Sequence, residues 1–429
     1  MPSAGARHKI LRTLFILIPA ALILASCSSP KPEPSPSPVL PSASPEEGQT
    51  ITLITPDASN IDSSKTSKYQ IQTRLTDFEL MSGTEGLAWG VTRNSLRLYM
   101  TRDNGKTWSN ISPSSTVQFS SNPVYGKDIF FTDPSNGWII RQSFGMMETV
   151  VLRTRDGGAT WKVSSLNQGS DIRSIYFVSA LKGWLLATWD SEDEHESKAL
   201  YKTEDGGATW KTVMQNDQYM PNSPHPALPV AGETGGLVFR DFNHGLNILN
   251  RSDGPELYHS FDGGAGWRKD TSFSSDIKKL TDYDKINAGT PHFFSFNNGW
   301  IPVSAGKKGQ DGTFWGGYFT ADGGSSWKYV SFNLGIQTGT NADIPPTFLN
   351  NTTGWRLIGN LLYRTDDQGK VWKALSTSSV LKSKLAEYPE IVKLQFIDEE
   401  TGWLLIEKSE DKRSILLQTT DGGLSWHVM

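Results

Sequence analysis

An eight-residue pattern, Ser/Thr-x-Asp-x-Gly-x-x-Trp, recurs seven times and constrains this chain more than any other feature. The copies read TRDNGKTW from Thr101, TRDGGATW from Thr154, TEDGGATW from Thr203 and SFDGGAGW from Ser260. They continue as TADGGSSW from Thr320, TDDQGKVW from Thr365 and TTDGGLSW from Thr419. A second element, Gly-Trp or a near relative, lies 17 to 27 residues before each closing tryptophan. It reads Gly86-Leu87-Ala88-Trp89, Gly137-Trp138, Gly183-Trp184, Gly245-Leu246, Gly299-Trp300, Gly354-Trp355 and Gly402-Trp403. Together the two elements account for 13 of the 15 tryptophans and leave Trp189 and Trp315 outside the template. Repetition of this kind means stacked units, none of which buries its apolar face alone.

Each unit reads as four short strands. In the last copy Ile391, Lys393 and Gln395 alternate with Val392, Leu394 and Phe396, the period of a half-buried strand. A turn leads to Trp403-Leu404-Leu405-Ile406, a polar loop to Ser414–Gln418, and the box to a closing strand at Ser425–Val428. Residues 75–429 give about 51 per copy, a period that suits four-stranded propeller blades. The expected fold is therefore all-β, a seven-bladed propeller of antiparallel four-stranded blades.

The box residues suit a structural task. A glycine takes the positive φ of a tight hairpin turn. The carboxylates of Asp103, Asp156, Asp205, Asp262, Asp322, Asp367 and Asp421 can each accept N–H bonds from their own turn. The Ser/Thr hydroxyl can close the far side, and the tryptophan brings an apolar face with an N–H for a carbonyl. One acid per loop is too few for a hard cation wanting six to eight oxygens, so no metal is expected.

The pattern resembles the Asp-box of bacterial sialidase (BNR) repeats over the whole of residues 75–429. With its Gly-Trp partner it is similar to the photosystem II stability/assembly factors and their non-photosynthetic bacterial relatives. That resemblance implies a seven-bladed propeller acting as a binding and assembly scaffold, without cofactor. Departures are Asn104 and Gln368 in place of the first box glycine, and Leu246 in place of a tryptophan, which suggests a less tightly packed fourth blade.

The first 26 residues read as an address. Arg7, His8, Lys9 and Arg12 precede an apolar run, Leu14 to Leu24, too short for a comfortable span. Leu24-Ala25-Ser26-Cys27 resembles the lipobox of bacterial lipoproteins, in which the chain is cut before the cysteine and that residue is acylated. Cys27 is the sole cysteine, so there is no disulfide framework. Removal of residues 1–26 leaves 38 basic against 45 acidic side chains, a net of −7 that disfavours nucleic acid. Residues 27–70, opening SSPKPEPSPSPVLPSAS after Cys27, read as a disordered, Pro/Ser-rich tether. The expected location is the extracytoplasmic side of a bacterial cell membrane, held by lipid.

Turns alternate between the two faces of such a disc. One face carries the Gly-Trp turns and the boxes. The other carries the length: Asn216 to Gly236, Asp190 to Lys198, Ala305 to Gly312 and Leu375 to Pro389. Irregular loops on a rigid scaffold are where binding sites usually sit. Trp189 and Trp315 border this face, and exposed aromatics beside polar loops make platforms for a protein or glycan partner. The chain is expected to be a monomer. The competing reading is a sialidase-like glycan hydrolase or lectin. Against it, no Arg precedes Ile301-Pro302, and Asp190, Glu192, Asp193, Glu194 and His195 read as a solvated run. No G-x-S-x-G, H-E-x-x-H or phosphate loop is present.

Overall fold

The computed structural model describes residues 52–54, 71, 73–114, 117–119, 121–142, 148–166, 171–192, 195–217, 225–273, 280, 283–307, 309–376 and 378–429. Seven antiparallel sheets follow one another along the chain and form a seven-bladed propeller. Blade 1 consists of Asp77–Leu80, Gly86–Thr92, Ser95–Thr101 and Ser109–Asn110, here strands A to D. Blades 2 to 7 repeat that order over residues 129–166, 171–216, 233–269, 283–331, 347–374 and 390–428. The A strands of neighbouring blades adjoin one another, so A is innermost and D lies at the rim. Cys27 and the expected leader lie outside the described residues.

Three local readings are corrected. Within the stretch expected to be a disordered tether, Thr52–Ile54 pairs antiparallel with the D strand of blade 2 as a fifth strand. Residues Asp190 to Lys198, read as a solvated loop, are largely hairpin: strand B runs to Glu192 and strand C starts at His195. Residues 375–389 contain an α-helix, Ser379–Glu387, capped by the Ser378 hydroxyl accepting from the Leu381 N–H. Blade 5 splits its A strand into Tyr283–Ala288 and His292–Phe293. The neighbouring B strand holds Pro302, which has no N–H to offer the ladder.

All seven boxes form the same turn. The Ser/Thr hydroxyl of position 1 donates to the Asp Oδ1 at 2.8–2.9 Å. The hydroxyl oxygen of position 1 in turn accepts the N–H of the position 5 glycine at 2.7–2.9 Å. Oδ1 also accepts the position 7 N–H in every copy. Where position 7 is Ser or Thr, its hydroxyl donates to Oδ2 at 2.5–2.6 Å. For Asp205, burial alone would raise the carboxyl pKa, but donation from Thr209, Thr203 and Ala208 outweighs it and holds the group below the ordinary aspartate value. These carboxylates are consumed by their own turns.

The boxes also receive the preceding blade. The Gly-Trp tryptophan of one blade donates its indole N–H to the carbonyl of the first box glycine in the next: Trp138 to Gly206 at 2.8 Å, Trp184 to Gly263 at 2.9 Å and Trp355 to Gly422 at 3.2 Å. The same indoles lie flat on a phenylalanine of the next A strand, Phe177, Phe239 and Phe396, with centroids 3.6–3.9 Å apart. The far edge of each phenylalanine meets its own box tryptophan, Trp210, Trp267 or Trp426. The phenylalanine also explains the glycine of Gly-Trp: a Cβ on Gly183 would stand 2.4 Å from the Phe177 ring.

Closure of the ring uses side chains, since blades 1 and 7 each complete their own four strands. Lys393 Nζ meets Glu79 at 2.6 Å and Asp77 at 3.5 Å, and Arg74 meets Glu407 at 2.6 Å. Gln395 accepts from the Leu80 N–H and donates to Glu79. Phe78, Trp108, Trp403, Leu405 and Leu416 pack between the two blades. The indole of Trp403 finds Asn104 where five of the other boxes have glycine, and donates to its Oδ1 at 3.0 Å.

Asn104 and Gln368 both sit at positive φ, 55° and 66°, in the place of a glycine. The left-handed region costs a side-chain-bearing residue about 1 kcal/mol, less for Asn. Gln368→Gly should therefore stabilise the protein by roughly 0.5–1 kcal/mol. Asn104→Gly removes the side-chain acceptor of Trp403 and leaves only the residue 104 carbonyl, which Gln418 already occupies at 2.7 Å, so it should destabilise by about 1 kcal/mol. Urea denaturation of the two variants checks the opposite signs.

Candidate functional site

Two places collect chemistry outside the repeat: the central axis and the long-loop face. Along the axis, the residue before the A-strand phenylalanine, or its equivalent, is Glu79, Phe130, Tyr176, Val238, His292, Thr347 or Gln395. One side is aromatic, with Tyr125 stacked on Phe130 at 5.6 Å and Phe130 against Tyr176 at 5.3 Å. The other side is polar, with Lys393 held by Glu79 and Asp77. Lys393 Nζ stands 5.8 Å from the Tyr125 ring centroid, so the two sides meet.

Electrostatics mark the same convergence. Burial raises the Asp77 carboxyl, against the pull of Lys393 and the Phe78 N–H. For Lys393 burial acts downwards, and Asp77 with Glu79 more than reverses it, so the ammonium stays charged. Burial, helped by Glu79, pushes the Tyr125 hydroxyl well above its ordinary value. His292 is exposed at its surface, yet protein surrounds it. Desolvation first, then the Lys393 charge, lowers its pKa to about 4. At neutral pH the axis thus holds a neutral imidazole, a paired ammonium and protonated phenols, groups suited to orienting a polar ligand.

On the long-loop face, buried cations strap connections to blades. Lys198 is wholly buried and donates to the carbonyls of Glu196, Val230 and Gly232 at 2.8–3.2 Å. Burial lowers its pKa to about 8 although Glu196 opposes the shift. It ends an alternating chain: Lys127 to Asp171 at 3.4 Å, Asp171 to Arg173 at 3.2 Å, Arg173 to Glu196 at 2.8 Å and Glu196 to Lys198 at 3.7 Å. Buried Arg356 likewise donates to the Asn341 carbonyl, while Asn341 bonds Pro389 and Ile391. The connection between blades 5 and 6 is thereby fixed to blade 7.

The two tryptophans outside the template part company here. Trp189 is half-buried and packs on the core between blades 2 and 3 with Tyr125 and Tyr176. Trp315 was expected as an exposed platform and is not one. It is only 6% exposed, its indole donates to the Ala342 carbonyl at 2.8 Å, and the Arg356 guanidinium lies 5.8 Å from its ring. Its place between blades 5 and 6 is taken up by supporting the connection above it. His195 is exposed, as expected. Among the described residues no group of three or more His, Cys, Asp or Glu side chains could hold a metal ion, and no helix is long and apolar enough to cross a membrane.

The axial cluster was missed at the sequence level, although a signal existed. Asp77-x-Glu79 and Lys393-x-Gln395 are polar i, i+2 pairs in the first and last A strands, where ring closure must bring them together.

Residues 96–223 match the family model described as Sortilin, neurotensin receptor 3 (Sortilin-Vps10). No curated protein sequence matches the chain. Among solved structures, a PL25 ulvan lyase bound to its saccharide is 11% identical with a TM-score of 0.48, over 82% of this chain and 92% of that one. A GH74 xyloglucanase from Xanthomonas campestris is 10% identical with a TM-score of 0.30, over 82% and 72%. A puromycin-hydrolyzing peptidase of Mycobacterium tuberculosis is 12% identical with a TM-score of 0.47; the match covers 83% of this chain but about half, 53%, of the peptidase. At such identities the likeness concerns the fold alone.

The depressed His292 pKa has a definite consequence. Between about 6.5 and about 4 the unfolded chain binds a proton at this position that the folded chain refuses, so stability falls as pH falls through that window. Asp77, with a raised pKa, acts in the opposite sense just above its ordinary value. His292→Gln should flatten the loss between pH 6.5 and 4 relative to wild type, leaving the Asp77 contribution common to both. Melting temperatures of both proteins across that range provide the measurement.

Proposed function

We propose that this chain is a lipid-anchored, extracytoplasmic propeller that binds a protein or glycan partner through its long-loop face as a non-catalytic scaffold. The observation that carries the reading is the strapping of that face by Lys198 and Arg356. A connection tied to its blade loses little entropy when a partner lands on it, which favours recognition. A lid that must open and close for turnover would be built the other way, with few buried contacts. The box carboxylates support the reading from the opposite face, since their hydrogen bonds stay within the turn.

A second reading, a glycan-acting hydrolase or lectin, draws on the axis. There Asp77, with its raised pKa, pairs with Lys393, whose ammonium stands 5.8 Å from the Tyr125 ring and lowers the pKa of His292. Aromatic rings beside hydrogen-bonding groups suit a sugar.

Anchorage is tested at Cys27. Cys27→Ala should release the protein into the soluble exported fraction or leave it unprocessed. Mass spectrometry of the wild-type mature N-terminus would refute the anchor if it showed no acyl chain.

Partner binding is tested by photo-crosslinking in the native cell. A crosslinker replacing exposed His195, at the B–C hairpin of blade 3 on the long-loop face, should yield a specific adduct, lost on Trp189→Ala when yields are compared per folded molecule. One replacing exposed Leu424 in the seventh box should not. Turnover of a polysaccharide by the purified chain, abolished by Asp77→Asn, would favour the hydrolase instead.

A further inference from the structure

The residue before the A-strand phenylalanine occupies one level in all seven blades. From Glu79 in blade 1 to Gln395 in blade 7, it pairs with the residue after the Gly-Trp glycine. Neighbours at this level touch around the axis. Gln395 donates to Glu79 at 3.0 Å, while Tyr176 meets Phe130 at 5.3 Å and packs on the core that holds Val238. The Lys393 charge of blade 7 acts on His292 of blade 5, so groups two blades apart share the space.

Polar atoms at this level fall into two sets. Those of Glu79 and Gln395 are spent on each other, on Lys393 and on the Leu80 N–H. The Tyr176 hydroxyl, the His292 imidazole and the Thr347 hydroxyl, from blades 3, 5 and 6, have no partner among the described residues. Solvent reaches all three, since Tyr176 and Thr347 are half-buried and His292 is exposed. Protein nonetheless surrounds Tyr176 and His292, so these two line a concavity and not an outer surface. Blade geometry demands none of the three, because Phe130 and Val238 fill the same place in blades 2 and 4.

The character of these groups selects a ligand. A neutral imidazole and two hydroxyls can each donate and accept. The charges beside them are already paired, with the Lys393 ammonium held by Glu79 at 2.6 Å and Asp77 at 3.5 Å. A carboxylate or phosphate would face those acids, and an ammonium would face Lys393. A ligand bearing hydroxyls satisfies donors and acceptors together, and the Tyr176 ring offers an apolar face to its C–H groups. We infer that the axial ring binds one neutral sugar ring, its hydroxyls bonded by Tyr176, His292 and Thr347. This assignment rests on the glycan-acting reading and narrows it to a place and a ligand class.

Ligand-observed NMR on the purified chain with the methyl glycosides of glucose, galactose, mannose and rhamnose provides the test. At least one should bind, and its binding should weaken about three- to tenfold in Tyr176→Phe and in Thr347→Val. Each substitution keeps the side-chain shape and removes a hydroxyl that the fold does not use, so melting temperatures should match the parent. Glucuronate and glucosamine, which add a charge to the same ring, should bind more weakly than the neutral glycosides. A glycoside held equally well by the parent and both variants would overturn the inference and leave the glycan-acting reading standing. So would retention or cleavage of a polysaccharide by a chain that binds none of the four glycosides. Preference for glucuronate or glucosamine would overturn the ligand class, and failure to bind any saccharide would remove the inference and the glycan-acting reading together.

Discussion

The structure depends on one kind of contact, complete at three blade boundaries: an indole from one blade donates to the first box carbonyl of the next while lying on that blade's A-strand phenylalanine. The contact joins the two repeated sequence elements across a blade boundary, which is why they recur together. The Gly-Trp of blade 3 serves the box of blade 4, and Trp403 of blade 7 serves that of blade 1. Hydrogen bonds within a sheet hold a blade, but they cannot hold a ring of blades. Here a buried N–H, which would be costly unpaired, finds its acceptor only if the next blade is in register. Packing and polar satisfaction therefore select the same angle between neighbours.

Departures from the repeat show what the contact requires. Leu246 replaces the tryptophan between blades 4 and 5. It is buried against Trp327 and the rest of that core, and it has no N–H for Gly323. The Arg240 guanidinium donates to that carbonyl instead and to Phe296 as well. In blade 1 the tryptophan place is held by Leu87, since Gly86 pairs with Thr101 as Gly137 pairs with Thr154. Trp89 stands two residues further along the same face and donates to the Pro123 carbonyl in the connection to blade 2. A donor is supplied at each of these boundaries, although the residue supplying it changes.

The fold was legible because its determinants are local and repeated sevenfold: glycine at positive φ, an acid three residues ahead of the turn's end, a closing tryptophan. The A-strand phenylalanine was equally legible and was overlooked. Phe131, Phe177, Phe239, Phe293, Phe348 and Phe396 each precede the Gly-Trp glycine by six residues, with Leu80 in that place in blade 1. Other features were not legible, because charge and hydropathy are local while burial is not. Glu196 and Lys198 look like a solvated run, yet the connection at 230–232 lies over them and turns both into core. Trp315, outside the template, invited a binding role, but Arg356 of the next blade and Ala342 of the connection before it close over the indole.

A division of labour between the faces follows from these energetics. The boxes use their carboxylates, hydroxyls and N–H groups on themselves and on the preceding blade, so recognition through those polar atoms would compete with ring stability. What the boxes leave free is the side chain at position 2 and the tip of the neighbouring turn, and Phe261 and Phe296 occupy those two places. On the opposite face the connections are irregular in length and the repeat supplies no acceptors for them. Order there comes in part from buried cations, Lys198 and Arg356, each gathering carbonyls from a connection between blades. Burying such charges costs more than burying leucine, as the lowered pKa values of both cations record. That cost would be unnecessary if the loops had no shape to keep. The long-loop face thus keeps its connections in place with buried charge rather than with repeat hydrogen bonds.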